Sequence, residues 1–311
     1  MNWRKYLSVP RYNEFLNEIT AMAGFSKRIN SWAGFAGRKG PGFCAICGQF
    51  GELTRDHVPP QGCVHITNAV LSRLTINSQL TGKQCDSIFI QGGLKFQTLC
   101  GTCNNHRLGL HYDPELKHFV DQMRTGMQAV ARNVVLPRIV RVRADMHLVA
   151  RSVVGHILAA HSVEDTQKWR DDIGASESLR QYFLHPDREF PSEWRLYCWP
   201  YLSRKQVILR HAGWMDISLP DAGDKTVYGH ILKFLPFGFW LVYNQPMEFT
   251  IDALDITPRG APDMESETLS FDLRQAPHHL YPENPSGHQI MLFANEQSSV
   301  AEPPPIREKI K

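Results

Sequence analysis

Two Cys-x-x-Cys pairs constrain the fold of this chain more than any other feature. Cys44 and Cys47 form the first pair, and Cys100 and Cys103 form the second. Because two residues between ligands let one turn present both sulfur atoms, two such pairs predict a closed tetrahedral zinc site. A zinc ion held by four cysteines is structural, since no coordination position remains open. The alternative is four reduced cysteines packed in a core without a metal.

The number and grouping of the cysteines favour a metal over disulfide bonds. The chain has 7 cysteines, an odd number, and in a reducing compartment the grouping of four of them in two pairs favours metal binding. Cys63, Cys85 and Cys198 are predicted to be buried thiols, with Cys63 and Cys85 as alternative zinc ligands.

Composition indicates a globular protein of the cytoplasm that has no contact with a membrane. The chain has 311 residues, of which 42% are hydrophobic and 21% charged, which is ordinary for a protein with a real core. No apolar run reaches the roughly 18–20 residues that a membrane span needs. The N-terminus, MNWRKYLSVP, has no uninterrupted apolar segment and predicts no signal peptide.

Charge is divided unevenly along the chain. Residues 1–143 contain 18 Lys and Arg and 8 Asp and Glu, a net charge of +10, whereas residues 144–311 contain 16 and 23, a net charge of −7. A basic half favours a polyanionic partner such as nucleic acid. Charge complementarity between the two halves of one protein explains the same pattern.

Four segments are predicted. Residues 1–42 form an N-terminal basic helical segment that ends at GRKGPG, whose Arg38 and Lys39 either contact phosphates or belong to a flexible linker. Residues 43–143 hold both cysteine pairs and carry an insertion at 61–93. Residues 144–281 are predicted to form a separate α+β domain, and the Pro- and Ser-rich residues 282–311 a flexible tail.

Local patterns predict several elements. Leu116, Phe119, Val120 and Met123 have the spacing of a helix, and PRIVRVR, with Arg138, Arg141 and Arg143, has the alternation of a strand with one basic face. The stretch MHLVARSVVGHILAAHS predicts a buried helix. The runs EWRLYCWPYL, KQVILRHAGWMDIS and YGHILKFLPFGFWLVYNQ predict strands, the last of them a hairpin.

Three stretches, CAICG, LTRDHVPP and LCGTCNNHRLG, bring the cysteine pairs together with an Asp-His pair and an Asn. In this combination the chain resembles the HNH endonuclease family, in the subgroup with two CxxC pairs, an acid-His-Val-x-Pro motif and CxxCN. The resemblance covers roughly residues 43–120. It implies an α+β fold in which a zinc-stapled ββα-metal nuclease module is joined to a separate C-terminal domain.

The resemblance also implies roles for three residues. His57 takes the position of the general base, for which a neutral imidazole is suited at physiological pH. Asp56 and Asn104 take the positions of the ligands of a catalytic Mg²⁺ or Mn²⁺ ion, which prefers oxygen ligands. Asn104 alternatively caps the helix that follows Cys103.

One position departs from the family pattern. The middle Asn of the family, which holds the loop of the general base, is Lys95 here, and a lysine cannot accept a hydrogen bond. Either Gln97 or a group from the insertion replaces it, or the base is loosely held. Lys95 is also a candidate contact for nucleic acid, together with Arg107, Arg38 and Lys39.

Other histidines receive weaker interpretations. His106 and His111 lie near the second cysteine pair and are alternative metal ligands. His156 and His161 are five residues apart, do not share a helix face, and are interpreted as packing or capping residues.

The sequence therefore predicts an HNH-type endonuclease that hydrolyses phosphodiester bonds, with DNA as the substrate that the resemblance implies. By analogy alone the chain would be a restriction or phage-defence effector, acting with a second copy of itself or with a defence-system partner. The alternative is a non-catalytic, zinc-stabilised protein that binds nucleic acid or serves as an adaptor.

Overall fold

The structure is a computed structural model that describes residues 40–64, 68–73, 87–91, 93–132, 139–160, 166, 176–221, 225–262, 266–285, 287–294 and 298–303. The predicted N-terminal helical segment, with Arg38 and Lys39, lies outside the described residues apart from residues 40–42. Cys85, Arg138 and His161 also lie outside them.

Strands make up the larger share of the described elements. In chain order they are β1 (Gly42–Phe43), β2 (Phe50–Gly51), β3 (Leu53–His57), β4 (Asn68–Arg73), β5 (Ser87–Gln91), β6 (Lys95–Cys100), β7 (Ile139–Ala144), β8 (Trp194–Pro200), β9 (Gln206–Asp216), β10 (Val227–Phe234), β11 (Phe237–Tyr243), β12 (Leu254–Asp255), β13 (Glu267–Asp272), β14 (Gln289–Phe293) and β15 (Ser299–Glu302).

The described helices are fewer and longer. They are a π-helical segment (Thr102–Tyr112), α1 (Asp113–Arg132), α2 (Met146–Ala159), α3 (Ser176–Leu184) and a short 3-10 turn (Leu273–Gln275). The predicted mixture of helices and antiparallel strands is confirmed at this level. Within the described residues no helix is both long and apolar enough to cross a lipid bilayer.

A hairpin of β3 and β6, followed by a helix, carries the second cysteine pair, and the first pair lies before it in the turn between β1 and β2. β3 and β6 pair antiparallel, with Leu53 opposite Cys100 and His57 opposite Lys95. A register shift between Thr54 and Asp56 marks a β-bulge, a feature that re-aims side chains beside it. After β6 the chain turns into the π-helical segment and continues as α1.

The helix predicted from the spacing of Leu116, Phe119, Val120 and Met123 is confirmed as α1, Asp113–Arg132. Leu116, Phe119, Val120 and Met123 are fully buried, as their spacing on one helix face requires. Phe119 stacks on Phe237 of β11 with ring centroids 4.5 Å apart. This contact joins the hairpin-helix part of the chain to the large sheet.

The large sheet has nine strands in the order β12-β8-β11-β10-β9-β15-β4-β5, with β14 also paired to β9. The predicted strands β8 and β9 and the β10–β11 hairpin are confirmed. The insertion contributes β4 and β5: β4 reaches this sheet by pairing with the C-terminal strand β15, and β5 pairs with β4.

The expected flexible tail from residue 282 is wrong for β14 and β15. β15 lies between β9 and β4, and Val300 and Ala301 are buried there. A Pro- and Ser-rich composition suggested disorder, but pairing on both sides satisfies the backbone polar groups whatever the side chains are. Residues 304–311 lie outside the described residues.

Helix α2 packs against α1, α3, the π-helical segment and strands β3, β6 and β10. It is buried along all of its length except Leu148, as the sequence predicted. The Asp145 side chain caps its first turn, accepting from the backbone N–H groups of His147 and Leu148 at 2.9 and 3.1 Å. At its other end Arg210 of β9 donates to the Ile157 carbonyl oxygen at 2.7 Å.

One hydrophobic core crosses the predicted domain boundary at residue 144. It includes Phe96 and Phe119 before the boundary and Val153 and Phe239 after it. A second cluster, around Trp199, Trp214 and Trp240, covers the opposite face of the large sheet. The two predicted parts are therefore packed against each other, while their independent folding stays a prediction.

Strand β7 has the alternation that the sequence predicted. Val140 and Val142 are buried, whereas Arg141 and Arg143 are exposed on one face. β7 pairs with β13, where Ser270 lies opposite Arg141.

Candidate functional site

The four cysteines of the two Cys-x-x-Cys pairs converge. Their sulfur atoms all lie within 4.8 Å of one another, and the Sγ atoms of Cys47 and Cys100 are 3.7 Å apart. A tetrahedral zinc ion with zinc–sulfur bonds of about 2.3 Å places its sulfur ligands about 3.8 Å apart. The cluster could therefore hold a metal ion such as zinc.

Local backbone structure presents the first pair. The Gly48 N–H donates to the Cys44 carbonyl oxygen at 2.9 Å, and the Cys44 N–H donates to the Gln49 carbonyl oxygen at 3.0 Å. Gly48 has a φ of 73°, which glycine adopts without the strain that a Cβ would bring. Hydrogen bonds from Cys103 and Cys44 lower the pKa of Cys100, and the same contacts with Cys100 raise the pKa values of Cys44 and Cys103, so without a metal one thiol of the set is ionised at the expense of the others.

The remaining described cysteines are not part of this cluster. Cys63 and Cys198 are buried and carry no disulfide, as predicted. Burial raises the pKa of the Cys63 thiol above its ordinary value. Cys63 lies instead at the cleft described below, so it is not a fifth sulfur near the metal position.

Asp56, His57 and Asn104, the three residues that the resemblance implied, line one cleft. The cleft has a volume of about 420 Å³, and Asp113, Arg55 and Lys117 also border it. Two elements create this convergence, because β3 delivers Asp56 and His57 while the first turn of the π-helical segment delivers Asn104.

Asn104 holds the strand that carries the other two residues. Its Nδ2 donates to the Thr54 hydroxyl at 2.9 Å and to the Arg55 carbonyl oxygen at 3.1 Å. The amide nitrogen is thus occupied by β3, and Oδ1 is the atom left to bind a ligand. Asn104 lies inside the helix, which begins at Thr102, so the alternative of a helix cap is wrong.

His57 is half-buried at the end of β3. Burial and the nearby charge of Lys95 lower its pKa, so the neutral imidazole that a general base requires is favoured near neutral pH. The loop after His57 is held by the Val58 N–H, which donates to the Leu94 carbonyl oxygen at 3.1 Å.

The resemblance implied an Asn at the position of Lys95, and Gln97 was one of the groups expected to replace it. Gln97 donates to the Leu53 carbonyl oxygen at 3.1 Å, at the far end of β3 from His57. It therefore does not replace the missing Asn. The backbone bond of Val58 and the Asn104 amide hold the loop and the strand on either side of His57.

A buried histidine that sequence reasoning did not assign to the site completes it. His156 of α2 is fully buried. Its Nδ1 lies 2.9 Å from Oδ2 of Asp56, and its Nε2 lies 2.9 Å from Oδ1 of Asp113. Ser152, one turn earlier on α2, donates to the same Asp113 oxygen at 2.7 Å. We call Asp56, His156 and Asp113 the buried acid-imidazole-acid chain.

Within the buried acid-imidazole-acid chain, the electrostatic environment favours the protonated, positively charged form of His156. Burial by itself lowers the pKa of His156, but the carboxylates of Asp56 and Asp113 outweigh burial and raise it to about 10. Burial raises the pKa of Asp56, against an opposing effect of His156. For Asp113, His156 and the Ser152 hydroxyl outweigh burial and lower the pKa. When Asp56 and Asp113 are ionised and His156 is protonated, these three residues together carry one net negative charge. This charge at the cleft favours the binding of a cation.

The signal for His156 was present in the sequence. A histidine within an otherwise apolar, buried helix is a polar group that must find partners. Its interpretation as a packing residue stopped short of naming them. Asp113, in the stretch YDPELKHF, carried no such signal.

The remaining candidates lie outside the cleft. Arg107 donates to the Leu184 carbonyl oxygen at 2.5 Å, at the end of α3. His106 and His111 are exposed and meet edge to face with centroids 4.8 Å apart, as the wide turn of a π-helix allows. Within the described part of the chain no third metal-binding side chain joins them.

Comparison with known proteins adds no relative. No family model matches the chain, and no curated protein or solved structure matches it. The candidate site is therefore defined by its own side chains.

Proposed function

We propose that this protein is a metal-dependent endonuclease of the HNH type that hydrolyses phosphodiester bonds, with DNA as its substrate. The convergence of Asp56, His57 and Asn104 on one cleft carries the proposal. The four-cysteine cluster supports it, because a zinc ion there would tie the turn between β1 and β2 to the end of β6 and to the helix that bears Asn104.

The donor set of the cleft fits a hard divalent cation. Asp56 offers a carboxylate oxygen and Asn104 an amide oxygen, and Mg²⁺ and Mn²⁺ prefer such ligands. When bound, the cation supplies charge stabilisation to the phosphate and to the departing oxygen.

His57 would carry out the proton transfer in this reaction. His57, with its lowered pKa, accepts a proton from a water molecule. The water oxygen forms a bond to phosphorus, the bond from phosphorus to the departing sugar oxygen breaks, and that oxygen takes a proton from solvent. Arg55, exposed at the cleft, and Lys95, beside His57, add positive charge for a polyanion.

A second function has one observation in its favour. Lys95 stands where the family places an Asn, and Gln97 does not substitute for it. A module that has lost catalysis and kept its zinc would bind nucleic acid without cutting it.

One experiment separates the two functions. Supercoiled plasmid is incubated with Mg²⁺ or Mn²⁺ and the wild-type protein, His57→Ala or His118→Ala, the last altering an exposed histidine of α1. We expect nicking by the wild type and His118→Ala, and a loss of about 10²–10⁴-fold in His57→Ala.

The other results decide against the proposal. Intact plasmid in every sample, together with a gel shift by zinc-loaded protein, would establish the binding function. Intact plasmid with no shift at low salt, where electrostatic binding is strongest, would overturn any role with nucleic acid.

A further inference from the structure

We propose that His156 is a positioning residue of the cleft, which holds the metal-binding carboxylate of Asp56 in place from within helix α2. The inference rests on the proposed function, since it assigns Asp56 to a divalent cation. If the inference is right, cation binding requires helix α2, which lies outside the β3–β6 hairpin and the helix that follows it.

The hydrogen bonds of His156 define which oxygen atoms remain available. Nδ1 of His156 is hydrogen-bonded to Oδ2 of Asp56, and Nε2 is hydrogen-bonded to Oδ1 of Asp113. Oδ1 of Asp56 has no hydrogen bond among the described residues and is the oxygen left for a cation. Oδ2 of Asp113 is left in the same way. A carboxylate held by one oxygen presents the other in a defined orientation, which strengthens metal binding.

The position of His156 is itself held tightly. Its neighbour Gly155 packs so closely that a Cβ there would lie 2.5 Å from Phe183 and 2.6 Å from Leu108. Thr98 of β6 donates to the Ala159 carbonyl oxygen at 2.5 Å. Helix α2 is thus fixed against the π-helical segment, α3 and β6, so the imidazole has little freedom to move.

Stability alone does not account for this arrangement. Replacing buried ionic groups by apolar side chains of similar volume is often neutral or stabilising. Yet α2, which is apolar over most of its surface, carries Ser152 and His156 one turn apart, and both reach Asp113. Both carboxylates that His156 contacts border the cleft. A role in orienting cleft carboxylates explains why the polar groups are there.

Cation binding measures the role without requiring catalysis. Mn²⁺ affinity is determined by electron paramagnetic resonance of free Mn²⁺ for zinc-loaded wild type, His156→Gln and His156→Ala. A glutamine amide can donate to one of the two carboxylates, and an alanine to neither. We expect the Mn²⁺ dissociation constant to rise by about 10–100-fold in His156→Ala and by less in His156→Gln.

His147→Gln is the matched control. His147 is a second buried histidine of α2, and its Nδ1 lies 3.1 Å from the Tyr182 hydroxyl and not at the cleft. It should leave Mn²⁺ affinity unchanged. In plasmid cleavage, His156→Ala should require more metal and leave the KM for DNA unchanged, since His156 is buried away from the substrate.

Three results would overturn the inference. The first is folded His156→Ala with a Mn²⁺ affinity within about threefold of the wild type. The second is an equal loss in His147→Gln. If His156→Ala does not fold, His156→Met replaces it, since methionine fills the space and donates no hydrogen bond to Asp56, and an unchanged affinity there is the third.

The proposed function can fail separately. Wild type that binds Mn²⁺ through Asp56 and leaves plasmid intact would refute the nuclease and keep the positioning role. Wild type that binds no Mn²⁺ would refute both.

Discussion

Lys95, the first residue of β6, lies directly opposite His57, the last residue of β3. The resemblance to HNH nucleases places an asparagine at this position, and here a positive charge stands beside the candidate base. The charge lowers the pKa of His57, in addition to the effect of burial.

Removing this charge should change the pH dependence of the site. In Lys95→Met the pKa of His57 should rise, because protonation of the imidazole no longer meets a neighbouring cation. The acidic limb of the pH–rate profile should then move to higher pH, since catalysis needs the neutral imidazole. An NMR titration of the His57 ring protons measures the shift even if cleavage is weak. Lys117→Met is the control, because Lys117 borders the same cleft but pairs with Asp121. A fall in the pKa of His57 would contradict this assignment.

Zinc binding should require each of the four clustered cysteines. Wild-type protein should contain about one zinc per chain, and Cys103→Ser should lose most of it and unfold at a lower temperature. Elemental analysis and a thermal melt check both. Cys198→Ala, which alters a buried cysteine outside the cluster, should keep its zinc. Folded wild-type protein without metal would show that the thiols are a reduced core.

Asn104 should contribute to stability as well as to the cleft. Asn104→Ala removes the donor to the Thr54 hydroxyl and the Arg55 carbonyl oxygen, and losing partners of buried polar groups costs about 1–3 kcal/mol. Urea denaturation should show that loss. Asn105→Ala, at the next and exposed position, should change the free energy of unfolding by less than about 0.5 kcal/mol. Equal effects of the two substitutions would argue that Asn104 does not hold β3.

Gly155 should be intolerant of a side chain. In Gly155→Ala the new Cβ would meet Phe183 and Leu108 at 2.5 and 2.6 Å, and overpacking of this kind costs about 1–3 kcal/mol. The control Gly109→Ala adds a Cβ with an ordinary contact at 3.5 Å, at an exposed position where alanine favours the helix. Denaturant unfolding of both variants should show that the free energy of unfolding falls in Gly155→Ala and does not fall in Gly109→Ala. A stable Gly155→Ala would mean that α2 is not fixed at the cleft.

Prediction from sequence was most successful where the signal is local. The cysteine pairs each lie within one turn, and α1, α2 and the β10–β11 hairpin show in the spacing of apolar residues. The sheet positions of the insertion and of the C-terminal strand β15 could not be predicted from local patterns. β15 lies between β9 and β4 in the sheet, and no pattern within a short strand names its partners.

The site divides in the same way. By itself the sequence determined the four clustered thiols as a set and the Asp56–His57 pair and Asn104 as candidates, because short motifs keep such side chains at fixed spacing. Only the tertiary structure decided that His156 and Asp113 belong with them. His156 is separated from Asp56 by 100 positions and from Asp113 by 43. The need of a buried imidazole for partners is written in its local sequence, but the choice of partners depends on how α2 packs against β3 and the helix after β6.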